Sequence, residues 1–176
     1  IRPADANETA AAWRSAIMSD DAPVALILSR QKLPVIDRSI YAPADQLKSG
    51  AYVLADTEKT PDLILIGTGS EVYLCLEAKA ELAKRNIAAR VVSMPSWELF
   101  DQMPGDYKDK VLPPAVTCRI AVEAGIPMGW ERYIGMNGKM IGMHRFGASA
   151  PGAVMLEKFG FTVENIVNTA LEILKS

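Results

Sequence analysis

The sequence predicts an α/β protein: a three-layer α/β/α sandwich on a mostly parallel sheet, preceded by the truncated tail of a second α/β domain. Three observations predict it. Short apolar runs bounded by turn residues have the pattern of strands buried on both faces. These runs alternate with segments whose apolar residues recur at helical spacing, the arrangement that puts helices on both faces of a parallel sheet. The stretch from Gln31 to Gly50 interrupts the alternation with Pro34, Pro43, mixed charge and no period, and so reads as a connection between domains. A chain of 176 residues accommodates one domain plus part of another.

The elements follow in order. Asp5 is placed to cap a first helix, with Glu8 three positions later able to satisfy orphan amides, and Ala10, Trp13 and Ile17 continue at helical spacing. After Asp20-Asp21-Ala22-Pro23, the run Val24 to Leu28 predicts a strand buried on both faces. Beyond the connection, Leu63 to Ile66 predicts a second buried strand. The turn Gly67-Thr68-Gly69-Ser70 leads into a helix from about Glu71 to Arg85, with Ser70 as its cap. Val72, Leu76, Ala80 and Ala83 are assigned to its inner face, with Lys79 at the margin, and Asn86 ends it. Ala89 to Ser93 is the next strand, stopped by Pro95. Trp97, Leu99 and Phe100 fall on a short helix or turn, and Tyr107 to Leu112 forms another, closed by Pro113-Pro114. Strands at Arg119 to Glu123 and Lys139 to Met143 follow. A last helix begins near Thr162, with Val163, Ile166, Val167, Ala170, Leu171 and Leu174 as its apolar stripe.

Composition narrows the function. Charged residues make up 23% with a net charge of -2, leaving no basic surplus to neutralise a nucleic-acid backbone. No apolar run approaches the ~20 residues a bilayer span requires, so a soluble, cytoplasmic protein is expected. Cys75 and Cys118 lie among apolar neighbours without metal-ligand spacing and are expected as buried free thiols. Ile1 at the first position, with Pro3 close behind, reads as a chain cut from a longer one.

Several residues invite chemistry. Gly67 to Ser70 lies between strand and helix, where amides can hold a phosphate, but Val72 replaces the third glycine of a dinucleotide fingerprint, and glycines that permit a tight turn explain it as well. Arg30 closes the Val24 to Ser29 run, at the end of a strand where ligands gather in open α/β sheets, and its planar fork suits a phosphate or carboxylate. His144, the sole histidine, follows a strand without an identifiable orienting partner, which favours a structural or solvent-facing role. Glu123 likewise lacks a second carboxylate at a telling spacing. For Trp97, Phe100, Trp130 and Tyr133, core and interface packing is the expected use in preference to a stacking platform for bases.

Eight collinear blocks, taken together, resemble transketolases. They are Arg2 to Glu8, Ala25 to Pro34, Gly50 to Leu54, Gly67 to Val72, Arg90 to Ser96, Val122 to Gly125, Phe146 to Pro151 and Phe159 to Thr162. The resemblance implies that residues 1–45 are the tail of the family's pyrimidine-binding domain and its linker, and that residues 46–176 are the C-terminal domain. It implies an intact homodimeric enzyme that moves a two-carbon ketol unit from a ketose phosphate to an aldose phosphate, using thiamine diphosphate and magnesium or calcium. This chain has no counterpart of the family's Gly-Asp-Gly metal-binding segment, its activating glutamate or its substrate histidines, so on its own it is expected to be inactive and to bind no cofactor. Only Arg30 matches a functional position of the family, the arginine that grips the sugar phosphate. The alternatives are another thiamine-diphosphate enzyme of the deoxyxylulose-phosphate synthase or 2-oxo acid dehydrogenase type, or a regulatory module that binds a small anion at Gly67 to Ser70. The Ser29-Arg30-Gln31 and Phe146 to Pro151 blocks favour transketolase.

Overall fold

Asp5 caps helix α1 (Ala6–Met18) by accepting the Glu8 amide at 2.8 Å. The computed structural model describes residues 1–175. A 3-10 helix (Ala44–Ser49) and strand β1 (Tyr52–Ala55) follow, then β2 (Leu63–Gly67), α2 (Glu71–Ala83), β3 (Ala89–Ser93), α3 (Trp97–Asp101) and α4 (Gly105–Val111). The chain continues through β4 (Arg119–Val122), α5 (Glu131–Ile134), β5 (Lys139–Ile141), α6 (Gly152–Lys158) and α7 (Val163–Ile173).

The five strands lie in the order β1-β3-β2-β4-β5; all pairs are parallel except β1 with β3, which is antiparallel. Alternation along the strands divides the core in two, because successive side chains point to opposite faces. Leu63, Leu65, Val91, Ile120 and Val122 face α2 and α7. Ile64, Ile66, Val92 and Ala121 face Phe100, Val111, Trp130 and Tyr133 from α3, α4 and the α5 region. The three-layer sandwich expected from the sequence is therefore present.

Gly50 fixes how β1 enters the sheet. Its φ of 75° suits glycine, and a Cβ there would stand 2.1 Å from the Phe100 amide nitrogen. Thr162 caps α7 by accepting the Asn165 amide at 3.1 Å, and Asn86, at φ 59°, terminates the α2 segment as expected.

Some expectations are corrected. Val24 to Leu28 is not a strand: it is largely exposed, and among the described residues its backbone hydrogen-bonds only with Ile1, which donates from its amino group to Ala25 and accepts from Ile27. An apolar run signals the wish for a buried partner but not its presence, and no sheet strand flanks this one among the described residues. On α2 the buried face is Val72, Cys75, Leu76, Ala78 and Leu82, while Ala80 and Ala83 are exposed. Ser70 makes no side-chain cap to α2; its hydroxyl donates to Glu71 instead. Cys75 is buried, and burial pushes its thiol well above the ordinary value; Cys118 is only half-buried. No helix among the described residues is long and apolar enough to cross a membrane.

Candidate functional site

In an open α/β sheet, ligands gather at the carboxyl ends of adjacent strands whose onward connections run to opposite faces. Here those strands are β2, which continues into α2 on one face, and β4, which continues toward α5 on the other. The chain's own amino-terminal arm enters the crevice between them. The Arg2 guanidinium stands 2.6 Å from the Glu71 carboxylate and 3.9 Å from that of Glu123, and it donates to the Thr68 carbonyl. The Arg2 amide donates to Pro95 and its carbonyl accepts from Gly69, so backbone and side chain are both engaged.

The Gly67 to Ser70 turn thus serves the arm. Gly69 has a φ of 58°, and a Cβ there would lie 2.6 Å from the Arg2 guanidinium carbon. Glu71 in the first turn of α2 is fully buried and also accepts the Ala124 amide at 3.0 Å. The buried Glu71 carboxylate compensates the positive end of the helix from within, and the Gly69 amide of the turn is bonded to the Arg2 carbonyl. Close approach of the arm explains Gly69, and close approach of α2 explains Gly67, where a Cβ would stand 2.8 Å from the Val72 Cα; phosphate binding is not needed for either.

Glu123 accepts the Trp130 indole N–H at 2.8 Å. Trp130 in turn meets Trp97 edge-on, with ring centroids 5.1 Å apart, and Tyr133 at 6.0 Å. The aromatic residues are packing, as the sequence indicated. Arg132 stacks over Trp97 at 5.3 Å. His144 is exposed, and Arg145 beside it lies over the Phe159 ring at 4.9 Å.

A second buried polar cluster ties the arm to the sheet. Glu8 accepts hydrogen bonds from the Tyr52 hydroxyl at 2.6 Å, the Ser93 hydroxyl at 2.7 Å and the Ala4 amide at 2.8 Å. Asp5 accepts from the Ile36 amide at 2.9 Å and pairs with Arg38 at 3.1 Å. Arg38 also donates to the Tyr52 hydroxyl. Burial pushes the Glu8 carboxyl above its ordinary value, against the pull of the Tyr52 and Ser93 hydrogen bonds. Burial and the neighbouring Glu8 charge push the Tyr52 phenol up as well. The sequence pointed to Asp5 and Glu8 as a capping pair. It did not reveal that Glu8 reaches Tyr52 and Ser93, nor that Arg2 finds Glu71, because those partners lie far apart along the chain.

Arg30 stands apart from both clusters. It is exposed at a bend and makes no ion pair among the described residues. Its neighbour Gln31 lies against Gly152 at the start of α6, so the Ser29 to Gln31 bend and the Phe146 to Pro151 loop meet in space.

Fold and crevice together define an α/β scaffold domain whose own arm enters the edge where such sheets ordinarily take a ligand, leaving beside it an open cavity of about 460 Å³ that Arg2, Thr68 and Glu123 help to line. The family described as "Transketolase-like TK C-terminal domain" matches residues 50–162, and the chain belongs to the transketolase family. Transketolase of Aquifex aeolicus is 51% identical over 172 residues, 98% of this chain and 25% of the relative. A transketolase structure from Leishmania mexicana superposes with a TM-score of 0.91 at 40% identity, covering 99% of this chain and 25% of that one. A Pichia stipitis transketolase in complex with sedoheptulose-7-phosphate superposes at 0.89 with 36% identity and the same coverage. The chain thus spans about a quarter of the length of these relatives.

Proposed function

We propose that this chain is the C-terminal part of a cytoplasmic, homodimeric transketolase, and that within the intact enzyme Arg30 grips the phosphate of the sugar substrate. Residues 1–45 are then the tail of the pyrimidine-binding domain, and residues 46–176 the C-terminal domain. The reaction is transfer of a two-carbon ketol unit from a ketose phosphate to an aldose phosphate. The observation that carries the Arg30 role is an exposed guanidinium, at the end of the Ala25 to Ser29 segment, with no ion pair among the described residues. Its fork suits two oxygens of a phosphate dianion and would anchor that end of the sugar while chemistry proceeds at the distant carbonyl. The complex of the Pichia stipitis relative with a sugar phosphate agrees with this substrate class.

Thiamine diphosphate and its metal do not fit the residues of this chain. The turn best shaped for a diphosphate is filled by Arg2, and the described residues hold no group of three or more His, Cys, Asp or Glu that could bind a metal ion. What the chain contributes is substrate orientation and a rigid platform, the cofactor's chemistry being supplied elsewhere in the intact enzyme.

In the full-length enzyme, Arg30→Ala is expected to raise KM for phosphorylated substrates about 10- to 100-fold, the worth of a charge-assisted hydrogen-bond pair. Unphosphorylated substrates such as hydroxypyruvate should barely respond. Steady-state kinetics with both kinds checks this, and an equal effect on both removes Arg30 from phosphate binding. The isolated chain, supplied with thiamine diphosphate and magnesium, is expected to show no ketol transfer; measurable turnover would overturn the division of the chain.

A further inference from the structure

Asn137 and Gly138 form the one Asn-Gly pair in the chain; the other asparagines precede Glu8, Ile87, Ile166 and Thr169. An asparagine amide is open to attack by the backbone nitrogen of the residue after it. A side chain on that residue shields the nitrogen, whereas glycine leaves it bare. Met136 and Asn137 are exposed in a turn between α5 and β5. Neither the Asn137 side chain nor the Gly138 amide makes a hydrogen bond among the described residues, so none has to break before the two groups meet. Asn165, by contrast, donates to the Gly160 carbonyl at 2.8 Å.

Packing keeps the glycine in place. A Cβ at residue 138 would stand 2.5 Å from the Ile134 carbonyl oxygen and 2.9 Å from that of Arg119. Those oxygens belong to the backbone of α5 and β4, so neither can yield without disturbing an element of the fold. From this we propose that Asn137 is a site of spontaneous deamidation in the folded protein, its labile amide retained because nothing larger than glycine fits after it. The Gly138 nitrogen attacks the Asn137 Cγ, its proton departs with the side-chain nitrogen as ammonia, and a cyclic succinimide results. Water then adds to one ring carbonyl or the other and opens the ring, giving aspartate or isoaspartate. Both products add a negative charge to the wall of an open cavity of about 580 Å³ that Lys139 and Glu172 also line. Isoaspartate in addition lengthens the main chain by a methylene just before β5, which pairs with β4 alone at the edge of the sheet.

The test ages the full-length enzyme at mildly alkaline pH and follows its peptides by mass spectrometry. The peptide holding Asn137 should gain the mass of NH2 exchanged for OH roughly tenfold or more faster than those holding Asn86, Asn165 and Asn168, whose following residues carry side chains. The same peptide should accept methyl groups from S-adenosylmethionine in the presence of an isoaspartyl methyltransferase. Asn137→Gln should abolish both signals there. Conversion no faster than at the other asparagines, or seen only after the enzyme is unfolded, would overturn the site; a gain in mass without methyl acceptance would overturn the succinimide route. Gly138→Ala should convert about tenfold more slowly and lower the melting temperature by several degrees. A Gly138→Ala enzyme as stable as the wild type would overturn the packing reason for the glycine. Should that variant not fold, the packing reason stands, and Asn137→Gln carries the test of the site.

Discussion

Glu8→Ala is expected to lower the unfolding free energy of the chain by about 3–5 kcal/mol, because removing one member of a buried polar network strands the others. Glu8 is wholly buried and accepts from the Tyr52 and Ser93 hydroxyls and the Ala4 amide. Alanine leaves those three donors facing the cavity that the carboxylate vacates, and Arg38 loses one of its two carboxylate neighbours. Urea denaturation of the variant beside the wild type measures the loss; a change below about 1 kcal/mol, the scale of an ordinary surface substitution, would show that the network is solvated. The pH dependence has a definite sign. Burial holds the folded Glu8 carboxyl above the ordinary 4.5. The folded state therefore binds the proton more tightly than the unfolded one, and this contribution is complete below pH 4.5 and lost as pH rises through the folded value. The stability gap between wild type and Glu8→Gln should accordingly narrow as pH rises from 4 toward 8. A widening gap would mean that the ionised form, attracted by Arg38, is the one the fold prefers.

Glu71→Ala is the second large effect, about 3 kcal/mol, and it has a spatial signature. The carboxylate is fully buried, pairs with Arg2 and accepts the Ala124 amide, so its loss unties the arm from both sheet strands that flank the crevice. Amide exchange at Gly69, which donates to the Arg2 carbonyl, should accelerate more than exchange within β3. An Arg2→Ala, Glu71→Ala double-mutant cycle should show a coupling of about 1–3 kcal/mol. Uniform acceleration across the sheet, or no coupling, would mean that Glu71 supports the fold at large and does not specifically hold the arm.

What the sequence revealed follows the range over which each signal acts. The strands β2, β3 and β4 are short apolar runs between turn residues, and α7 carries its stripe and a threonine cap in neighbouring positions, so all four could be read locally. Helix α6 buries no residue of its own and left no periodic trace. Strand β1 has four apolar residues and pairs antiparallel with β3, a partner that local pattern cannot name. Val24 to Leu28 shows the opposite failure, an apolar run that implied a sheet neighbour the described residues do not supply. Arg30, the proposed phosphate anchor, was singled out by its block of sequence and its place at the end of a run. The pairings of Arg2 with Glu71 and of Glu8 with Tyr52 and Ser93 were invisible, since nothing near Glu8 in sequence announces a hydroxyl 44 or 85 residues away.

That last separation bears on how a newly made chain matures. At the ~5–20 residues per second of ribosomal synthesis, Glu8 leaves the exit tunnel on the order of ten seconds before Ser93 does. During that interval Glu8 lacks one of its hydroxyl donors although Leu47 and Tyr52 are already available to the helix, so the buried network of the amino-terminal arm is completed only once β3 has been made.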